Sequence, residues 1–396
     1  MKDLICAIDI GSSKIRILVV KKEKENLEAI FKSEQNSEGV KKGVITEPER
    51  ASKILKELIF SATQNIRKKI NSALVNLGGI HLFAVPTRAL ISVSRADQTV
   101  SEEDLNRVLQ EAKIINVGQN KEIFDLSVKE FILDGERGIK DPVGLKGSRL
   151  EVEALGLGYF SPCLENLKKT LLNSGLEVFE LIPAPIACSL AVLTEQQKNL
   201  GVCLLDIGAQ TTSISVFEDG NLTFFSVLPI GAQEITNKIA IQMQIDPELA
   251  ERLKVEFGSC YFKGKNKREK IEFEDEDPLI FYPRSLARII REGYSAIFDS
   301  VLKELKKASK DRRLPAGIVL TGGGAKVPKI LELAKLKFKL NCKIGKPKGI
   351  LNLEENPSLS TLVGLVLSSL ELEEEKETQK FGFFSKIKKF LRIFLP

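Results

Sequence analysis

Two short stretches carry the residues best suited to chemistry. LICAIDIGSSKIRILVV at 4–20 sets Asp9 and Gly11 just ahead of Ser12, Ser13 and Lys14. GVCLLDIGAQTTSISVF at 201–217 sets Asp206 and Gly208 just ahead of Thr211 and Thr212. In each, an apolar arm ends on the aspartate, a glycine turn follows, and a second arm alternates apolar with polar residues. That pattern reads as strand, tight turn and strand. A glycine in the turn lets backbone approach a ligand closely, and the turn's N–H groups can form an anion-binding concavity. Asp206, at its strand end, suits a cation held through water, as a hard oxygen ligand. One such hairpin is a common turn and says little. Two copies in one chain point to a duplicated architecture, with each turn closing on one side of the same polyphosphate. The chain has no G-x-x-x-x-G-K-[ST] segment, so this is not a Walker-type site.

A third stretch, AGIVLTGGGAKVP at 316–328, runs an apolar strand into Thr321, Gly322, Gly323 and Gly324, and a helix is expected from Pro328. Backbone without side chains leaves room for a flat ring or a ribose. A generic strand-to-helix turn would look the same when taken alone. Together the three glycine turns ask for a nucleotide between two lobes.

The elements that must hold these turns follow from periodicity. A helix is predicted over 47–70, with Pro48 near its start and Ile54, Leu55, Leu58, Ile59 and Ile66 at helical spacing. Residues 73–77 read as a buried strand ending on Gly78 and Gly79, and 21–26 as a charged turn. Residues 82–160 look like an inserted unit. It has strands near 90–93, 123–133 and 149–157, and a helix opened by Ser101 with early acids at 102–104. Leu105, Val108, Leu109, Ala112 and Ile115 form that helix's apolar face. The glycine-rich GIKDPVGLKG at 138–147 reads as a connecting loop with nothing catalytic in it. Ser161 and Pro162 are expected to cap and start a helix ending near Gly175, and 185–193 a short helix. Asp246 and Pro247 start another, and 284–305 a long one; the charge blocks between them read as a solvated excursion.

Composition narrows the function classes. A chain of 396 residues is long enough for two or more domains. Its 43% apolar and 28% charged content is that of an ordinary globular protein. Six scattered cysteines have no C-x-x-C or zinc spacing and sit mostly in apolar runs, as expected of reduced core thiols. His81 is the single histidine, which removes histidine metal clusters and Ser-His-Asp triads. Five of the six net positive charges lie at 380–396, so a general nucleic-acid surface is not expected. The N-terminal apolar run is broken by Asp9, unlike a signal peptide, and no apolar run is long enough for a spanning helix.

The end of the chain has its own pattern. Residues 371–380, ELEEEKETQK, read as a polar linker. On a helical wheel of 381–396, Phe383, Phe384, Ile387, Phe390, Leu391, Phe394 and Leu395 share one face, with Lys386, Lys388, Lys389 and Arg392 opposite. Bulky apolar residues backed by cations are what an interfacial helix on anionic lipid needs. A helix docked back on the protein would need the same apolar stripe. Four phenylalanines on the stripe and a bias to cations alone favour lipid.

These motifs carry a resemblance. The two D-I-G hairpins and the T-G-G-G turn resemble the actin-like ATPase fold, an α/β architecture of duplicated RNase H-like lobes. The segments 138–147, 201–208, AERLKVEFG at 250–258 and 316–325, with the tail, are similar to the FtsA family of bacterial cell-division proteins over essentially the whole chain. The resemblance implies one lobe core at 1–82, 161–199 and 346–370, and an inserted family-specific subdomain at 83–160. It implies a second core at 200–230 and 305–345, a further subdomain at 231–304, a linker at 371–380 and a C-terminal amphipathic helix at 381–396. It implies that Asp9, Gly11, Ser12, Ser13 and Lys14 form one phosphate loop and Asp206, Gly208, Gln210, Thr211 and Thr212 the other. Asp206 would lie near Mg2+, Gly322, Gly323, Gly324 and Ala325 would face the adenosine of ATP, and Glu251 and Lys254 the ribose and base. The second loop departs from the common GGGT, reading GAQT, and Ser213 stands where an acid is common. Weak hydrolysis at most is implied, and no catalytic base is assigned.

The implied partners are further copies of the chain, anionic lipid, the C-terminal peptide of the tubulin-like protein FtsZ and later divisome proteins. The implied place is the cytoplasmic face of the inner membrane at the septum. Arg284, Arg288 and Arg291, spaced to line one helix face, suit an acidic, partly apolar peptide, though a solvated cationic face would read alike. A PilM-like pilus-assembly ATPase and a small-molecule kinase of the same superfold remain the alternatives.

Overall fold

The computed structural model describes residues 4–23, 26–264, 269–271, 279–310 and 314–378. It begins with an antiparallel meander, β1 (Leu4–Ile10), β2 (Lys14–Glu23) and β3 (Asn26–Asn36), in which Asp9 lies opposite Arg16. The apolar arms read from the sequence are β1 and β2. β3 gives little signal, because its second half alternates exposed with part-buried residues. A two-residue hairpin follows, β4 (Val40–Lys41) and β5 (Val44–Ile45), then α1 (Pro48–Ile66). β6 (Ser72–Leu77) returns parallel to β1.

The chain then leaves the sheet to build a separate unit: β7 (Leu82–Ser92), α2 (Glu102–Glu111), β8 (Lys121–Leu133), β9 (Glu136–Ile139) and β10 (Arg149–Phe160). Its strands are ordered β7-β10-β8-β9. The expected cap is in place: Ser101 accepts from the Asp104 N–H, and Asp104 returns the bond to the backbone of Ser101. Leu105, Val108, Leu109 and Ala112 bury against Val152 and Leu150, which gives this unit its own small core. The 138–147 connection begins as the end of β9 and is then strapped to the segment before α2 by Gly144 N–H to Val100 O and Gly147 N–H to Gln98 O.

Chain return is through α3 (Ser161–Asn173), β11 (Glu177–Pro183), α4 (Ala184–Val192) and α5 (Glu195–Leu200). Ser161 is not the cap of α3 as expected. It is the first helical residue, and its hydroxyl donates to Glu122 2.9 Å away, while Phe160 stands at the cap position. The first sheet is thereby completed as β11-β6-β1-β2-β3.

The second lobe repeats the plan. β12 (Val202–Ile207), β13 (Thr212–Glu218) and β14 (Asn221–Leu228) form the meander, with Asp206 opposite Ser213. α6 (Gln233–Met243), α7 (Pro247–Phe257), the small pair β15 (Glu269–Ile271) and β16 (Leu279–Phe281), and α8 (Pro283–Lys307) follow. β17 (Ile318–Thr321) runs parallel to β12, a 3-10 turn occupies Gly323–Lys326, and α9 (Ile330–Phe338) leads to β18 (Cys342–Ile344). The helix expected from Pro328 thus starts two residues later. The order β14-β13-β12-β17-β18 mirrors the first sheet strand for strand.

α10 (Ser360–Thr378) closes the described chain. It packs on α4, and a methyl on Gly364 would collide with the carbonyl of Ala187, so the two helices cross backbone to backbone. Residues 371–378, expected as linker, continue this helix, since Glu, Leu and Lys are good helix formers. The amphipathic stretch at 381–396, with Phe383, Phe384, Ile387, Phe390, Leu391, Phe394, Leu395, Lys386, Lys388, Lys389 and Arg392, lies outside the described residues. Five of the cysteines are buried and all six are free thiols. Among the described residues no helix is long and apolar enough to cross a membrane.

Candidate functional site

The two glycine turns face each other across a cleft of about 1600 Å3. Each is closed by the same bond. Gly11 N–H donates to Lys14 O at 3.0 Å in one lobe, and Gly208 N–H to Thr211 O at 2.9 Å in the other. A Cβ on either glycine would crowd that carbonyl, at 3.0 and 3.1 Å. Asp9, Gly11, Ser12, Ser13 and Lys14 all line the cleft from one side, and Asp206, Gly208, Gln210 and Thr211 from the other.

Thr212 does not line it. It is fully buried and donates to the carbonyl of Ile230. Strand pleat is the reason: Thr212 pairs with Ile207 on the core side, and Ser213, opposite Asp206, faces the cleft. The same parity brings in Arg16, opposite Asp9, whose guanidinium sits 3.6 Å from that carboxylate. Asn76 at the end of β6 was not singled out by motif. Its side-chain oxygen accepts the Ile10 N–H at 2.7 Å and so pins the first turn to the neighbouring strand.

The T-G-G-G turn forms the third wall. Gly322 has φ of 84°, and a side chain there would strike the carboxylate of Asp206. Gly324 packs on Ile207, whereas Gly323 faces open space. Ala325 is buried in the second-lobe core and does not reach the cleft. Thr321 ties the turn to the start of α10 through a 2.6 Å hydroxyl contact with Ser360.

Glu251 and Lys254 both line the cleft from α7. The Lys254 ammonium is buried and fully engaged: it donates to Ala232 O at 3.1 Å, Thr236 Oγ1 at 2.7 Å and Glu251 Oε2 at 2.6 Å. Burial lowers its pKa, with Glu251 opposing. A lysine whose three protons are all committed pins α7 to α6. Glu251, which Thr236 also engages, is half exposed and remains open to a ligand.

Burial acts on both aspartates of the cleft. Burial raises the pKa of Asp206 to about 6, the charge of Asp9 pushes the same way, and Arg16 opposes. Burial raises Asp9 as well, against Arg16. Two enclosed carboxylates share one guanidinium, itself partly spent on Glu34 at 2.9 Å. Hard carboxylate oxygens in that state fit a divalent cation. Among the described residues no group of three or more ligating side chains could hold a metal alone. A Mg2+ here would therefore take Asp206 or Asp9 together with water and phosphate oxygens, its usual habit.

On the outer face of α8, Arg284 and Arg288 are exposed, and Arg291 stacks over Tyr261, 5.5 Å from the ring centre. The three do share a face, away from the cleft.

Comparison with known proteins places this geometry. A family model described as cell division protein FtsA matches residues 203–364, and one described as the SHS2 domain inserted in FtsA matches 79–156. The cell division protein FtsA of Pseudomonas aeruginosa is 30% identical over 379 residues, covering 94% of this chain and 90% of that protein. That of Bacillus subtilis is 31% identical over 369 residues, covering 92% and 83%. The chain belongs to the FtsA family. It is a cell-division protein of actin-like ATPase fold, and β7–β10 with α2 are the insertion characteristic of FtsA. Solved structures agree on the fold. The PilM-PilN type IV pilus biogenesis complex aligns with TM-score 0.67 at 16% identity, over 92% of this chain and 98% of that one. MreB5 of Spiroplasma citri bound to ADP aligns with TM-score 0.58 at 14% identity, over 95% and 99%.

The Asp206 shift has a sign that can be tested. Its carboxyl binds a proton more tightly folded than unfolded. That contribution to stability is complete below the ordinary carboxylate value and is lost as pH rises through about 6. Without divalent cation, the thermal midpoint should fall between about pH 5 and about pH 8, and Asp206→Asn should remove most of the fall. Mg2+ at the higher pH should raise the wild-type midpoint and leave that of Asp206→Asn in place. Equal pH slopes in the two proteins would exclude Asp206 as the source.

Proposed function

We propose that the chain binds Mg-ATP in the cleft and uses it to hold the two lobes together, favouring head-to-tail self-assembly. The observation that carries this is the pair of identical glycine turns facing one another across two enclosed carboxylates. Turn N–H groups from both sides suit a polyphosphate, and a cation between Asp206 and the phosphates meets the excess negative charge. Gly323, with open space above it, leaves room for the adenosine. The ADP bound to MreB5, a protein of the same fold, supports the choice of nucleotide. Hydrolysis is slow and regulatory. Isothermal titration should give micromolar Mg-ATP binding, weakened at least about tenfold in Asp206→Ala. Binding indifferent to that change would remove the cation role.

Assembled copies tether division machinery to the membrane. The tail of 381–396 enters the lipid interface on its apolar face, each nearby cation adding about 1 kcal/mol on anionic lipid. One such helix binds modestly, and several linked in a filament bind by avidity. On anionic vesicles the full chain should co-sediment and a chain ending at Gln379 should stay in solution. If both remain soluble with Mg-ATP present, the anchor is lost from the reading and an unanchored assembly ATPase takes its place.

The exposed cationic face of α8 receives the acidic C-terminal peptide of FtsZ, and later divisome proteins join the assembled filament. Arg288→Glu with Arg291→Glu should weaken binding of a synthetic FtsZ C-terminal peptide by about tenfold or more. Unchanged affinity would move the peptide elsewhere. Preference for a pilus-protein peptide over the FtsZ one would favour PilM-like assembly.

A further inference from the structure

The turn between β4 and β5 is Lys42-Gly43, with φ of 50° and 73°. Positive φ at both central residues is the type I′ pattern, which leaves their N–H groups outside the hairpin's own ladder. Those two donors go to different lobes. Gly43 N–H reaches Ser12 Oγ at 2.7 Å, in the phosphate turn of lobe 1. Lys42 N–H reaches Gln210 Oε1 at 2.7 Å, in the phosphate turn of lobe 2. The amide of Gln210 is oriented by its other end, where Nε2 donates to Gln233 Oε1 at 2.8 Å. Gln210 lines the cleft, and its amide is spent on the opposite lobe and on Gln233. It occupies one of the two loop positions, with Ala209, where this chain departs from the GGGT pattern.

The carbonyl of the same residue, Lys42, accepts from Ile80 N–H at 3.1 Å. Ile80 and Gly79 are the stem of the inserted subdomain, since Leu82 opens β7. The stem is held at its other side by Tyr159, which donates from the end of β10 to Gly78 O at 3.0 Å. Gly43 and Gly79 lie backbone against backbone: a Cβ on Gly43 would come 2.6 Å from Gly79 Cα, and Gly79 itself has φ of 86°. Motion of the hairpin is thus transmitted to the stem with no side chain between them to absorb it.

We propose that the backbone of Lys42 couples the nucleotide cleft to the inserted subdomain, its N–H held by Gln210 of lobe 2 and its C=O, one peptide unit on, holding Ile80 of the subdomain stem. The inference rests on nucleotide binding in the cleft. The two-state element is the gap between lobes: when nucleotide draws the turns together the Gln210–Lys42 bond forms, and when the lobes part it breaks and frees the hairpin. Coupling of this kind is reciprocal, so a partner that docks on the inserted subdomain changes nucleotide affinity by the same factor with which nucleotide changes its own.

Amide hydrogen exchange on the full chain, with and without saturating Mg-ATP, tests this. In the wild type, Mg-ATP should slow exchange at the two phosphate turns and also at Lys42 and Ile80. In Gln210→Ala at saturating Mg-ATP, slowing at Gly11 and Ser12 should persist while the slowing at Ile80 falls by about fivefold, the weight of one hydrogen bond. Gln233→Ala, which only unties the Gln210 amide, should give a smaller loss at the same amide. Full slowing at Ile80 in Gln210→Ala, with the phosphate turns protected, overturns the coupling and leaves nucleotide binding standing. No slowing at either phosphate turn in the wild type overturns the nucleotide reading, and the coupling falls with it.

Discussion

The enclosure of two carboxylates at one cleft is the constraint on which the rest of the molecule turns. Asp9 and Asp206 end equivalent strands of equivalent sheets; burial raises the proton affinity of both, and the charge of Asp9 adds to the rise at Asp206. Arg16 answers part of this charge from β2, but the equivalent place on β13 is Ser213, so that position adds no second guanidinium. Gly322 belongs to the same constraint, because only a residue without a side chain lets the third turn lie against Asp206.

Duplication explains how one chain builds such a cleft. Each lobe has a three-stranded meander extended by two parallel strands, and the helices that follow the last strands, α4 and α10, meet at the crossing of Ala187 and Gly364. What differs between lobes is what fills the connections. Lobe 1 joins β3 to β6 through the β4–β5 hairpin and α1, while lobe 2 joins β14 to β17 through α6, α7 and α8. Lobe 1 also carries the FtsA insertion between β6 and β11, where lobe 2 has only a 3-10 turn and α9. The shared core makes the cleft, and the connections are where the two lobes differ.

Those connections also reach back to the site. Lys254 spends its charge joining α6 to α7, which shapes the wall below the third turn. The β4–β5 hairpin touches both phosphate turns and the stem of the insertion at once.

Much of this was legible in the residues alone, where the signal is local. The hairpins declare themselves through apolar arms, a terminal aspartate and a turn glycine. The caps at Ser101 and Asp246 are set by contacts two or three residues away, and the long helix from Pro283 by its period. Parity along a strand could have shown Ser213 and Arg16 facing the cleft and Thr212 turned inward, since pleat alternates by rule. Other features only the tertiary structure decided. The Gln210–Lys42 bond joins residues 168 apart, and Asn76 meets Ile10 across 66. The commitment of Lys254, the packing of Gly43 on Gly79 and the burial of Ala325 likewise depend on which elements come together. A local pattern fixes the direction of a side chain within its own element. What that side chain meets is set by long-range packing, and on that the neighbouring residues are silent.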